Sequence, residues 1–227
     1  MEIKTLLKEL TPPVLWKALK RLQTHSKGAD VRAEPWEFGV EQPAEFYDEK
    51  FKKVEHWKQH YSLSHYYPVW TVVADRLKRE APRHVVDVGC GPGQLACLLR
   101  DQGLPSYLGL DFSAARIEFA QSICPEYRFE TADVFQSQLL RTEPYDAVVL
   151  LEFLEHLNRD LEVLQMLRPG TYVIGTVPNF PAAGHVRHFA SAEHVSARYS
   201  SCFSKMRVDS LTANPHGATY FLIEGRK

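Results

Sequence analysis

Two stretches of this chain hold residue types at spacings that chemistry can use. In the first, His84-Val85-Val86-Asp87-Val88-Gly89-Cys90-Gly91-Pro92-Gly93-Gln94-Leu95, an apolar run ends in an acid and a glycine-dense turn follows. Glycines at such a turn let the backbone come close to a ligand, because no Cβ stands in the way. In the second, Glu152-Phe153-Leu154-Glu155-His156 follows another apolar run. If a helix begins there, Glu152, Glu155 and His156 stand at i, i+3 and i+4 and share one face. Two carboxylates and an imidazole on one face suit a hard cation such as Mg²⁺ or another divalent metal. Alternatively, His156 or the Glu155 carboxylate serves as general base towards a weakly acidic hydroxyl.

Both stretches need an α/β scaffold to place them. Short apolar runs at 84–88, 106–110, 127–130, 146–150, 171–177, 202–208 and 218–224 read as strands, and helical patterns separate them. Alternating strand and helix argues a parallel sheet, with ligands at the carboxyl ends of the strands. The glycine turn then joins a buried strand to a helix, where an adenosine-bearing ligand sits. Tyr107-Leu108-Gly109-Leu110-Asp111-Phe112-Ser113 is a second strand ending in an acid, placed to accept hydrogen bonds from ribose hydroxyls. The other reading of Asp111 is a helix N-cap, but Ser113 is as good a cap, which favours the ribose role. Pro82-Arg83 separates residues 1–80, a helical and aromatic segment, from a domain over 81–227.

The glycine spacing distinguishes two cofactor classes. A dinucleotide fingerprint wants a small residue where Gln94 stands. Asp87-x-Gly89-x-Gly91-x-Gly93 instead resembles motif I of the class I S-adenosylmethionine (SAM) methyltransferases. The resemblance implies a Rossmann-like, mostly parallel sheet of seven strands in the order 3-2-1-4-5-7-6, its last strand inserted antiparallel. It also implies SAM as cofactor and S-adenosylhomocysteine (SAH) as product. Asp87, Gly89, Cys90, Gly91, Gly93, Gln94 and Leu95 would surround the cofactor, with Leu151 at the end of the fourth strand. Asp111 would take the ribose, and Phe112 would pack on the adenine face. Asp133, in Phe129-Glu130-Thr131-Ala132-Asp133-Val134, would stand beside the adenine amino group, with the Val134 backbone adjacent.

Glu-x-x-Glu-His resembles the metal-binding stretch of small-RNA 2′-O-methyltransferases, and equally a stretch of ubiquinone-pathway O-methyltransferases. The first of these families adds a later histidine, for which His185 and His188 are candidates. In metal-free relatives the histidine orients the loop. His156 is the first choice for base or ligand and His188 the second. Arg187, between them, either grips an acidic group of the substrate or pairs with Glu193 on the surface.

Residues 36–70 are dense in aromatics, most of them expected in the core, with Tyr61, His65 and Tyr66 the better candidates for a lid. The expected reaction is O-methylation of a sugar, glycan or related small molecule. A natural-product O- or N-methyltransferase, an RNA 2′-O-methyltransferase and a catalytically silent SAM-binding module remain alternatives. Net charge is −1, which argues against a nucleic-acid footprint. Four cysteines with no metal spacing, no signal peptide and no long apolar run point to a cytoplasmic protein. Residues 1–30 carry six basic and three acidic side chains, and Val14, Leu15, Leu19 and Leu22 recur at helical spacing after Pro12-Pro13. That pattern suits a docked helix or peripheral contact with an anionic membrane.

Overall fold

The computed structural model describes residues 38–212 and 218–227. The basic N-terminal helix expected around Pro12–Leu22 and the turn at Asn214-Pro215-His216-Gly217 lie outside the described residues. Five strands run parallel: β1 Val85–Val88, β2 Tyr107–Asp111, β3 Arg128–Thr131, β4 Ala147–Leu151 and β5 Tyr172–Pro178. Two more, β6 Lys205–Thr212 and β7 Thr219–Arg226, form an antiparallel hairpin. The sheet order is β3-β2-β1-β4-β5-β7-β6, as the family resemblance implies. β6 begins later than expected, because Cys202 closes a 3₁₀ turn at Ser200–Cys202.

The helices are α1 Ala44–Lys53, α2 Tyr67–Glu80, α3 Gln94–Asp101, α4 Ala114–Ile123, the single turn α5 Leu139–Thr142, α6 Asp160–Met166 and α7 Ala192–Tyr199. Side chains alternate across a strand, so each strand feeds two cores. Val86, Val148 and Val173 join one, and Val85, Ala147, Val149 and Ile174 join the other. Burial on both faces explains why these strands read as continuous apolar runs. α2, α3 and α4 cover the second face through Leu77, Leu98 and Ile117, while Val195 and Tyr199 of α7 cover the first.

β1 pairs with β2 on one side and β4 on the other. The chain order reverses there, and a crevice opens beyond the carboxyl ends of both strands. β7 slots between β5 and β6, in register from Tyr172 opposite Arg226 to Pro178 opposite Tyr220. Among the described residues, no helix is long and apolar enough to cross a membrane.

Candidate active site

Two adjoining pockets open in the crevice, and these halves share Tyr47, Gly89, Arg116, Glu152 and His156. The glycine turn forms its floor. Gly89 has φ +77, and a Cβ there would come within 2.5 Å of the Phe153 ring, so the ring occupies the place of the missing side chain. Gly93 caps α3 at φ +80, where a Cβ would strike Ala120 at 2.8 Å. Gly93 therefore sets the packing of α3 on α4 and borders neither half of the cleft, whereas Gly89, Cys90, Gly91, Gln94 and Leu95 do border it.

Asp87 and Asp111 shape this floor from beneath. Tyr107 donates to Asp87 at 2.6 Å, yet burial pushes the Asp87 carboxyl up to about 7. Asp111 accepts from the Gly91 N–H at 3.0 Å and the Ser113 N–H at 2.9 Å, and it stands 3.9 Å from Arg116. Ser113 caps α4, its hydroxyl accepting from the Arg116 N–H, so Asp111 is released from capping. It lines one half of the cleft with Phe112, Asp133, Val134 and Phe153. Asp133 holds its own loop through the Phe135 N–H at 2.8 Å and the Gln136 amide at 2.9 Å. Gln94 donates to the Gln59 carbonyl at 2.6 Å and ties the N-terminal segment to the turn; Leu151 lines the same half as Gln94.

The expected helix at 152–156 does not form. Glu152 takes a left-handed conformation, φ 48, and a 3₁₀ turn spans Leu154–His156. The side chains therefore diverge. The Glu152 N–H donates to the Thr176 hydroxyl, which donates in turn to the Glu152 carboxylate, both at 3.0 Å. This clamp on β5 aims Glu152 into both halves of the cleft, where burial lifts its carboxyl to about 8. Among the described residues, the cluster able to hold a metal is Glu155, His156 and His185, one donor atom from each lying within 4.8 Å of the others. Glu152 is outside it.

Glu155 is 0% exposed, and neither carboxylate oxygen has a hydrogen-bond partner. Burial and the nearby Glu152 hold its carboxyl well above the usual range. His156 Nδ1 lies 2.8 Å from the Gly184 carbonyl and 3.1 Å from the Tyr47 hydroxyl. A carbonyl only accepts, so Nδ1 carries the proton and Nε2 keeps its lone pair, 4.0 Å from Glu155. Burial lowers the His156 imidazole to about 3 and His185 to about 4. His185 Nδ1 is buried and unpartnered. Of the two later histidines, only His185 joins the cluster. His188 is exposed, its ring 5.3 Å from that of Phe38, and it lines neither half.

Arg187 has neither expected role. Its guanidinium donates to the Leu154 and Leu157 carbonyls and pairs with the buried Asp160 at 3.1 Å, which fastens the loop after β5 to the 3₁₀ turn. Of the lid candidates, Tyr66 lines the cleft beside Trp70. Tyr61 instead donates to Asp101 at 2.8 Å and anchors its turn, while His65 is exposed. Tyr47, Lys50 and Arg116 escaped the sequence reading as site residues. The signal was weak: Tyr47 and Lys50 are one helical turn apart on α1, and Arg116 follows a cap.

Comparisons with known proteins bear on the family and the fold. The "Methyltransferase domain" family profile matches residues 59–212. The chain is 38% identical over 77 residues to trans-aconitate 2-methyltransferase of Acidovorax sp. (strain JS42), covering 34% of this chain and 30% of that protein. It is 31% identical over 94 residues to ubiquinone biosynthesis O-methyltransferase of Histophilus somni (strain 2336), covering 38% and 39%. These matches thus span only about a third of either relative. Among solved structures, the N-methyltransferase NodS of Bradyrhizobium japonicum WM9, in complex with SAH, superposes with a TM-score of 0.56 at 16% identity, covering 71% of this chain and 87% of that one.

Proposed function

This chain belongs to the methyltransferase-domain family, in its class I SAM-dependent form, and on that premise we propose that it methylates an oxygen of a small-molecule acceptor, a sugar or glycan hydroxyl being the leading class. The observation that carries the reading is the border that the two pockets share. Glu152 and His156 line both, so the pocket with the glycine turn and the pocket with Asp111 meet at a carboxylate and an imidazole.

SAM supplies a methyl group on a positive sulfonium, which leaves as a neutral thioether. Gly91, where a Cβ would project into open space, lets the backbone come close to the cofactor, and Asp111 presents its remaining lone pairs to the ribose. As the acceptor oxygen bonds the methyl carbon and the sulfur–methyl bond breaks, the acceptor must lose a proton. An imidazole at about 3 is a poor proton acceptor for a hydroxyl. Glu152, at about 8 and open to both halves, is the better matched base. In this reading His156 works as a ligand instead of a base.

The cluster fits a divalent cation on its own observations. Glu155 and His185 are buried with orphaned polar atoms, and buried polar groups without partners are costly. The Gly184 carbonyl fixes the His156 tautomer from behind, as outer partners of ligating histidines do. With two imidazoles and one carboxylate the donor set favours Mn²⁺, Fe²⁺ or Zn²⁺ over the Mg²⁺ expected from two carboxylates. Such an ion would hold and polarise the acceptor oxygen.

Calorimetric titration with SAH tests the cofactor half. The wild type binds, and Asp111→Asn weakens binding about tenfold through the loss of about 1.4 kcal/mol of charge-assisted hydrogen bonding. Absence of SAH binding at millimolar ligand would remove the enzyme reading. For the cluster, saturating Mn²⁺ or Zn²⁺ should raise the wild-type melting temperature by about 5 °C and leave His185→Ala unmoved. No shift in either protein rules the ion out.

A further inference from the structure

We propose that Tyr47 is a positioning residue that ties the cofactor to the Glu155–His156–His185 cluster, so that SAM or SAH and a divalent cation each bind more tightly when the other is in place. This rests on the methyl-transfer reading above and on the cation that the cluster fits, and it adds a coupling that neither of them requires.

Helix α1 reaches both places. Asp48 accepts from the Ser113 hydroxyl and from the Ala115 N–H at 3.3 Å, which seats α1 on the first turn of α4. The Ser113 N–H donates in turn to Asp111 at 2.9 Å, so this seat adjoins the carboxylate offered to the ribose. Tyr47, next to Asp48 on the same helix, leans on that loop. Its ring centre lies 5.2 Å from that of Phe112 and 5.0 Å from the Arg116 guanidinium carbon. Phe112 and Arg116 both line the half with Asp111. A cofactor that lays adenine on Phe112 and ribose on Asp111 steadies these side chains, and through them the phenol.

The polar end of Tyr47 touches the cluster. Its hydroxyl lies 3.1 Å from His156 Nδ1, with the two rings at 84°. The Nδ1 proton goes to the Gly184 carbonyl at 2.8 Å, so the Tyr47 oxygen shares that proton as a second acceptor. Outer partners of this kind fix the orientation of a ligating imidazole, and here they keep Nε2 turned towards Glu155. Gly184 leaves room for the contact, since a Cβ there would come within 3.1 Å of the Tyr47 hydroxyl. Burial holds the phenol well above its ordinary range, so it stays neutral and acts on the ion only through His156.

Ordering supplies the coupling. Whichever ligand arrives first fixes Tyr47, and the second then meets a side chain already in place. The cofactor and the ion need not touch. By linkage, the factor by which SAH tightens the cation equals the factor by which the cation tightens SAH. One shared hydroxyl corresponds to a factor of about ten.

The test measures Mn²⁺ affinity from the EPR signal of the free ion, with and without saturating SAH, and SAH affinity by calorimetry, with and without saturating Mn²⁺. In the wild type each ligand should gain about tenfold from the other, and the two factors should agree. Tyr47→Phe keeps the ring against Phe112 and Arg116 and removes only the hydroxyl. Both factors should then fall below about twofold, while the melting temperature and the SAH affinity of metal-free protein stay as in the wild type. A role in packing alone would leave the coupling untouched. Three results overturn the proposal: Mn²⁺ affinity that is the same with and without SAH, no Mn²⁺ binding in either state, or a coupling that survives Tyr47→Phe, which would assign it to direct contact between the ion and SAH. SAH binding without coupling removes only this proposal, whereas failure of SAH to bind the wild type removes the methyl-transfer reading along with it.

Discussion

Glu152 is the side chain on which both halves of the cleft meet. Its backbone is twisted left-handed, its carboxyl is clamped by Thr176, and its charged form is disfavoured by burial. A base must be ionised to work, so the rate of methyl transfer should climb with pH well above the ordinary carboxylate range as Glu152, raised by burial, loses its proton. Glu152→Gln should abolish that rise and lower kcat by about 10²-fold or more while SAH affinity stays within twofold. A pH–rate profile of both proteins measures it, and a flat wild-type profile between pH 7 and 9 would assign the base elsewhere. That Asp111, Gly89 and Gly91 line the crevice was legible in the sequence because a strand ending in an acid and a strand–glycine–helix junction are local patterns. The cluster was only half legible. Glu155 and His156 are neighbours in the chain, but His185 arrives through the loop after β5, and the single twisted residue that expels Glu152 leaves no mark in composition.

Among the elements, the loop after β5 and the 3₁₀ turn at Leu154–His156 behave as one body. The Glu155 carbonyl accepts from the Val186 N–H at 2.8 Å, and Arg187 bridges the turn to Asp160. Asp160 is 1% exposed and also takes Arg198 and the Tyr199 hydroxyl, so α6, α7 and the loop meet at one carboxylate. Removing one member of a buried charge group usually costs about 3–5 kcal/mol. Arg187→Met should cost about 2–3 kcal/mol, because Arg198 and Tyr199 remain with Asp160. Urea unfolding measures the loss; one below about 0.5 kcal/mol would return Arg187 to a substrate role. The strands were legible because burial on both faces demands unbroken apolar runs. This loop was not, since tertiary partners far along the chain decide its path.

For the molecule as a whole, the two site histidines tie stability to pH. His156 is lowered from about 6.5 in an unfolded chain to about 3 in the folded one. The unfolded chain then binds more protons across that window, so this group's contribution is intact above about pH 6.5 and drains away as pH falls towards 3. Between pH 7.5 and 5 the wild type should lose on the order of 1–2 kcal/mol more than His156→Gln, the raised acids being common to both. Denaturation curves at the two pH values give the difference, and equal losses would place His156 in a wetter setting. The sheet order was legible only through the family resemblance that Asp87-x-Gly89-x-Gly91-x-Gly93 carries, since apolar runs mark strands and not their order. The left-handed residue at 152 has one more outcome, visible only over generations of selection. Glycine or asparagine would sit there with less strain and hold the fold more firmly. A population bred for heat resistance alone should abandon glutamate at this position, and one bred for turnover should pay the standing conformational tax and keep it.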